Sequence, residues 1–362
     1  MFKTQEGSTQ RLLQLCAAYF IFYVITGVTV KYFLGSPDKG YPGMQGFEFL
    51  VYSTLGGMMI GTGIPIILRW FHFESTRKVQ VLGLSIPHEF FYIIPSGICT
   101  GVVIPTTTIM YSLPISVMVA MIIMRGSVII ISRVVDAIQI WQGIFTKKVY
   151  AAENWAVVFS VIAIGVYLIW TDKAGFDFVH SVVAVGTLLS YIVAYSFRIY
   201  IMNYYKNTSG KGGKRDNKPF FAIEQIAACV TVLLSAVIIF NAPVWFNWQA
   251  EQIIDVREAV LTPHPLWHLG VLAGTAYGMV AFFSVFIFMF KGRSATFAGL
   301  VNRLTSLVAG TAATLLCWFF LDGKMPKFAD WLSLFFILVS VGFLTLAEKK
   351  RARELAIVSG SG

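Results

Sequence analysis

Charge is scarce in this sequence. Only 13% of its 362 residues are Asp, Glu, Lys or Arg, against 57% hydrophobic residues, where soluble chains carry roughly 25% charge. So little polar surface cannot cover a water-facing globule, which excludes a soluble enzyme, a disordered protein, a coiled coil and a nucleic-acid binder. Cysteine is sparse too. Cys16, Cys99, Cys229 and Cys317 stand far apart inside apolar runs and without metal-ligand spacing; small core residues are the plain account, and no disulfide framework is visible. There is no Gly-Lys-Ser phosphate cradle, no metal cluster and no Ser/His/Asp grouping at membrane depth. The expectation is therefore a non-enzyme with no cofactor and no metal. The first apolar run starts near Leu12, is long, and is followed by no small-residue cleavage site, so it reads as a membrane span rather than a removed signal peptide. Ser359-Gly360-Ser361-Gly362 reads as a flexible linker.

What the chain has is one apolar run after another. A bilayer crossing needs roughly 20 apolar residues, and ten segments qualify: 12–34, 48–70, 89–111, 114–136, 155–171, 178–204, 219–240, 266–290, 297–321 and 331–347. The fold predicted is an all-α membrane protein with ten transmembrane helices. Only Ser112-Leu113-Pro114 separates the third span from the fourth, and Pro114 predicts a tight hairpin there. The 205–218 stretch reads as a flexible basic loop. The 241–265 stretch, with Glu251, Asp255 and Glu258, predicts a short amphipathic surface helix.

Orientation follows from alternate loops. With the N-terminus inside, and with Lys31 and Arg69 at span ends counted with the adjoining loops, 18 of the 28 Lys and Arg fall on the inner side, 6 on the outer side and 4 within spans. Basic loops stay cytoplasmic, so both termini are expected there, and the net charge of +10 sets orientation rather than nucleic-acid binding. The localisation expected is a multi-pass protein of the cell (inner) membrane for a bacterial source, or of an organelle membrane for a eukaryotic one.

Two stretches resemble each other. Met124-Arg125-Gly126-Ser127-Val128 leads on to Lys148, Trp155 and Gly165; Asn302-Arg303-Leu304-Thr305-Ser306 leads on to Lys324, Trp331 and Gly342. Both contain Lys-x6-Trp, and the offset is about half the chain. Five spans per half force the second copy to enter the membrane upside down. That predicts two inverted five-helix repeats, residues 1–173 and 174–347, followed by a cytoplasmic tail, 348–362. Inverted repeats around a midplane site are an architecture of alternating-access transporters; a duplication kept only for structure is the other account.

These residues, Ser116 to Gly126 with Ser127-Val128-Ile129-Ile130, then Lys147-Lys148, Trp155 and Gly165, and their second-half counterpart from Ser294 to Gly342, resemble the drug/metabolite transporter superfamily, in particular its nucleotide-sugar-transporter-like branch. The resemblance implies a secondary carrier without ATP hydrolysis, moving nucleotide sugars, amino acids, drugs or other metabolites. One departure is visible. Many members carry Leu-Gly-Glu before the fifth span, whereas Gly143-Ile144-Phe145-Thr146-Lys147 has no acid.

Candidate functional residues are the polar groups inside spans, since a mid-bilayer arginine costs roughly 2.5–3.5 kcal/mol on insertion scales. Arg125 reads either as a contact to an anionic substrate or as a structural pair with a carboxylate or carbonyl oxygens. Arg303, beside Asn302 and about two turns into the ninth span, reads either as a substrate contact or as a snorkelling residue. The repeat predicts that the two arginines approach one another across the pseudo-two-fold axis. Arg133 and Asp136, three residues apart, read as an ion pair or a gate, and Arg198 as a snorkelling residue. Glu224-Gln225 offsets a helix dipole or couples a proton. His88-Glu89 reads as a helix cap. Thr106, Thr107 and Thr108 follow Pro105; they re-satisfy the backbone bond it removes or line a hydroxyl-rich cavity. Tyr111, Tyr191, Tyr195 and Tyr277 could stack on a base or sugar or simply anchor helices. Gly57-x-x-x-Gly61 permits close helix approach. Asn207-Thr208-Ser209 matches a glycosylation sequon on the expected cytoplasmic face, where it goes unused.

The substrate-binding set is thus Arg125, Arg303, Asn302, Tyr111, Thr107 and Tyr277, with Glu224, Arg133 and Asp136 as coupling or gate residues. The function expected is a secondary active transporter that moves a small polar, anionic metabolite, such as a nucleotide sugar or another phosphorylated compound. The alternatives are an exporter of amphipathic drugs or amino acids, and a lipid-handling membrane protein. The partners expected are a small-molecule substrate and the lipid bilayer, with a second copy of the chain as a further candidate.

Overall fold

The computed structural model describes residues 9–72, 75, 78–81, 84–144, 149–170, 178, 180–208, 217–288 and 295–360. Lys147 and Lys148, Ser209 of the sequon, most of the basic 205–218 loop and the 173/174 repeat boundary lie outside them. Among the described residues there are eleven α-helices: α1 (Thr9–Phe33), α2 (Gly46–Ile67), α3 (Phe90–Ser112), α4 (Val117–Trp141), α5 (Ala151–Trp170), α6 (Val182–Thr208), α7 (Asn217–Trp245), α8 (Glu251–Leu261), α9 (Trp267–Phe288), α10 (Ala295–Phe320) and α11 (Phe328–Gly360). Nine of these are long and apolar enough to cross a membrane, and the apolar part of α5, Ala151–Val166, is shorter. The chain is all-α in its architecture and of multi-pass membrane type.

Three local features depart from the hydropathy reading. Residues Lys78–Val81 (β1) pair antiparallel with Leu84–Pro87 (β2), in a small hairpin between α2 and α3. Helix α11 runs unbroken to Gly360, so the basic stretch after residue 347 continues the last helix rather than forming a separate tail. Glu89 stands at the N-cap of α3 but makes no cap bond; its carboxylate accepts from Ser75 Oγ at 2.7 Å. The break between α3 and α4 lies at Pro114, and Ser116 caps α4 by accepting from the Val119 N–H at 3.2 Å.

Contacts divide the chain into two compact units, neither continuous in sequence. The first takes the described residues of Met1–Val24, Pro114–Val182 and Phe283–Gly362, and so contains α4, α5, α10 and α11. Here α4 and α10 run antiparallel: the Met118 N–H donates to Thr314 Oγ1 at 2.8 Å, Gly310 faces Met121, and Arg303 reaches Ser132. Helices α5 and α11 are antiparallel as well. Ser160 and Ser340 hydroxyls meet at 2.9 Å, Phe159 stacks on Phe336 and Phe343, and at one end Arg351 joins Glu153 to Glu348 while Tyr150 Oη donates to Glu354 at 2.8 Å.

The second unit takes Ile25–Leu113 and the described residues of Val183–Phe282. Its helices pack in parallel pairs through glycine. On α3, a Cβ at Gly97 would lie 2.6 Å from the Glu224 carbonyl oxygen, and one at Gly101 would lie 3.0 Å from Thr231, both on α7. On α9, a Cβ at Gly274 would lie 2.0 Å from the Ser53 carbonyl oxygen, and one at Gly278 would lie 2.6 Å from that of Gly57, both on α2. Bare glycine surfaces let backbones approach where lipid supplies no hydrophobic drive. Gly57 and Gly61 do face neighbours, Gly274 and Tyr277 for the first and Gln225 for the second. Helix α8 rests on α2, where Tyr52 Oη donates to the Ala259 carbonyl at 2.8 Å and accepts from the His264 N–H at 3.0 Å. On α7, Val230, Leu233, Leu234 and Val237 are each more than half exposed, an apolar surface suited to lipid and costly in water.

Candidate functional site

Helix α4 is the most enclosed candidate span, with 78% of its apolar stretch buried against 22% for α7. It carries a cation. Arg125 is 7% exposed, and its Nη2 donates to Tyr23 Oη at 2.6 Å. A phenol orients a guanidinium through a charge-assisted bond. Tyr23 packs edge-on against Tyr19, with ring centroids 5.1 Å apart, the spacing expected one turn apart on α1. Tyr19 Oη donates to Asn302 Oδ1 at 3.3 Å, and Asn302 Nδ2 donates to Ser284 Oγ at 3.0 Å. Arg125 and Asn302 are thus joined through two tyrosines within the first unit.

Arg303 is 9% exposed, and its Nη2 donates to Ser132 Oγ. Ser132 lies seven residues along α4 from Arg125, a backbone rise of about 10 Å, so the two arginines are held by different partners, Tyr23 for one and Ser132 for the other.

Arg133 and Asp136 sit nearer the end of α4, where Arg133 Nε donates to Asn154 Oδ1 of α5 at 3.1 Å. The remaining candidates lie in the second unit. Tyr111 is 1% exposed, and Tyr277 stands beside Gly57. Thr107 Oγ1 donates to the Val103 carbonyl at 2.7 Å, Thr106 to Val102 at 2.8 Å, and Thr108 to Ile104 at 3.5 Å. Pro105 frees the Gly101 carbonyl, four residues back, and none of these hydroxyls reaches it. The threonines bond back along their own helix instead.

Glu224 is placed differently from the helix-dipole reading given above. It lies two turns into α7, beyond the first turn in which a helix dipole acts. Its buried carboxylate accepts from Arg198 Nε at 2.9 Å and Nη2 at 3.0 Å, from Ser96 Oγ at 2.7 Å and from Thr100 Oγ1 at 3.1 Å. Arg198 therefore does not snorkel; it turns inward to a carboxylate 26 positions away. Sequence reasoning also missed Tyr19 and Tyr23 as partners, although their i, i+4 spacing recurs as Tyr191 and Tyr195 on α6, with ring centroids 5.2 Å apart. Among the described residues, no three His, Cys, Asp or Glu side chains are grouped to hold a metal, and the four cysteines are free thiols.

No family model matches the sequence, and no curated protein matches it. Solved structures do resemble it in fold. One, described as a crystal structure of a protein, is 13% identical with a TM-score of 0.50, and the match covers 95% of this chain and 99% of the other. At that identity the likeness concerns the fold alone.

Proposed function

We propose that the chain is a secondary carrier of ten spans, built as two inverted five-helix repeats, which moves a small polar anion by alternating access. The observation that carries the reading is Arg125, a guanidinium enclosed at mid-span on α4 and oriented by the Tyr23 phenol at 2.6 Å. A cation kept at that depth against its insertion cost suits recognition of a negatively charged group, since intramembrane charges mark substrate pathways and the guanidinium fork fits phosphate and carboxylate.

The packing supports the repeat. Gly97 and Gly274 are 177 positions apart, and so are Gly101 and Gly278, Glu153 and Asp330, and Gly165 and Gly342; Arg125 and Arg303 are 178 apart. The pair α3 with α7 and the pair α2 with α9 are both parallel and both packed through these glycines, as an exchange of repeat halves requires. A two-fold axis lying in the membrane plane makes a helix antiparallel to its own counterpart, and α4 with α10 and α5 with α11 are antiparallel. The bias of basic loops gives both termini to the cytoplasm.

Counterflow in proteoliposomes tests the function. With no ATP added, vesicles loaded with an unlabelled sugar phosphate or nucleotide sugar should take up the labelled compound faster than empty ones. Arg125→Lys should weaken uptake, because a point charge replaces a fork, and Arg125→Gln should nearly abolish it in a protein that still folds. Strict ATP dependence, or an Arg125→Gln protein that melts early yet binds its anion normally, would sink the reading.

A further inference from the structure

The second unit carries a guanidinium beside a tyrosine pair of its own. Tyr191 and Tyr195 on α6 repeat the i, i+4 arrangement of Tyr19 and Tyr23 on α1. Arg198 lies over the Tyr195 ring, with Cζ 6.0 Å from the centroid, as Arg125 lies 5.6 Å from that of Tyr23. The chemistry around the two cations differs. Arg198 is gripped by Glu224 through Nε and Nη2, and Ser96 and Thr100 fix the carboxylate from α3. Three helices hold one ion pair.

A guanidinium has five N–H donors, and this grip uses two. The end-on edge, formed by Nη1 and the outer N–H of Nη2, donates no hydrogen bond to a described residue, and the side chain keeps 13% exposure. Arg198 is thus a donor edge locked in direction from behind. Its charge is cancelled by the carboxylate at 2.9 Å. An incoming anion would have to shed its water without meeting uncompensated positive charge, and dehydrating an ion is costly. An uncharged acceptor loses far less.

We propose that Arg198 and Glu224 form a subsite for an uncharged hydrogen-bond acceptor, a hydroxyl or carbonyl group of the substrate, in which Arg198 makes the contact and Glu224 is the positioning residue. The word substrate rests on the carrier reading; the binding itself does not, and purified protein tests it without transport.

Three probes separate the cases in thermal-shift titrations: glucose for hydroxyls, N-methylacetamide for carbonyls, and inorganic phosphate for anions. Arg198→Lys keeps the positive charge and the pairing with Glu224 but removes the end-on edge. It should fold as the parent does and bind the uncharged probe about tenfold more weakly, the worth of one charge-assisted bond, with its phosphate response unchanged. Glu224→Gln uncovers the cation and should tighten phosphate binding about tenfold. Should Glu224→Gln fail to fold, Arg198→Lys decides alone. The proposal is overturned if neither uncharged probe shifts the parent protein, or if Arg198→Lys responds to the uncharged probes as the parent does. Loss of counterflow with these binding differences intact would instead count against the carrier.

Discussion

Substituting alanine at four glycines tests the packing and the repeat together. At Gly274 the new Cβ would lie 2.0 Å from the Ser53 carbonyl oxygen, and at Gly97 it would lie 2.5 Å from Ala227 Cβ. Ordinary contact begins near 3.4 Å, so the helices must separate by about 1.4 Å in the first case and about 0.9 Å in the second, losing dispersion along their length. Overpacking a close contact costs about 1–3 kcal/mol, against about 1 kcal/mol gained from the better helix former. Both new methyls meet backbone, which cannot rotate away, and the approach at Gly274 is the closer, so the cost of Gly274→Ala belongs at the top of that range and that of Gly97→Ala below it. Gly165 and Gly342 are the contrasting pair, since a Cβ at either meets nothing within 4 Å. Alanine there should leave stability unchanged or raise it by up to about 1 kcal/mol. Each pair is 177 positions apart, so the outcome should sort by repeat position and not by which half is mutated. The assay is the melting midpoint of purified protein in detergent. A Gly274→Ala protein that melts at or above the parent would refute the packing argument, and members of one pair moving in opposite directions would refute the equivalence.

Three further outcomes follow from other parts of the molecule. In a background free of the four cysteines, Gln252→Cys should react with an impermeant reagent from outside intact cells and Lys214→Cys should not; the reverse pattern overturns the orientation. In α8, burial first, and then the charges of Glu251, Glu258 and Glu48, raise the Asp255 carboxyl above its ordinary range. A raised carboxyl favours its protonated form in the fold, so its ionisation weakens α8 at neutral pH and the weakening is relieved as pH falls through the raised pKa; amide protection factors over 251–261, which remove the intrinsic pH dependence of exchange, should rise with acidification, and Asp255→Asn should raise them at neutral pH and flatten that dependence. Tyr23→Phe removes the 2.6 Å bond to Arg125 and should weaken phosphate binding about tenfold; unchanged affinity would show that Tyr23 does not position the guanidinium.

The elements were largely legible in the sequence, because a bilayer fixes how long an apolar run must be. Each of the ten runs read from hydropathy coincides with a helix, and α8 falls inside the stretch read as amphipathic. What escaped depends on rotation about a helix axis, which hydropathy does not encode. Arg198 reads from the sequence as a snorkelling residue, yet its direction is set by Glu224 on α7. Gly270, Gly274 and Gly278 form a four-residue-spaced stripe on α9, facing Tyr52, Ser53 and Gly57; that stripe was visible in the letters but hidden in a run whose composition already explained a span. The β1–β2 hairpin joins Val79 to Ile86, too short an alternation to register beside the long apolar runs. Tyr23 was one aromatic residue among several on α1, and only its contact to Arg125 singles it out.

The separate partners of Arg125 and Arg303 have a measurable consequence. If a single phosphate lay between two guanidinium groups, removing either would abolish binding, and removing the second would add little. The partners point to separate sites: Arg125 is held at Tyr23 of α1, and Arg303 at Ser132, seven residues or about 10 Å along α4 from the Arg125 backbone. On that arrangement a phosphate takes its fork from Arg125 and not from Arg303. Residues more than about 7–10 Å apart with separate partners contribute additively, to within about 0.5 kcal/mol. Arg125→Gln, Arg303→Gln and the double variant, titrated with inorganic phosphate, should therefore give logarithms of Kd whose changes sum. Melting midpoints measured on the same three proteins separate lost binding from lost folding. If Arg303→Gln by itself weakens binding, a double variant no weaker in binding than Arg125→Gln alone, at equal thermal stability, would mean that the two arginines share one anion despite their separate partners.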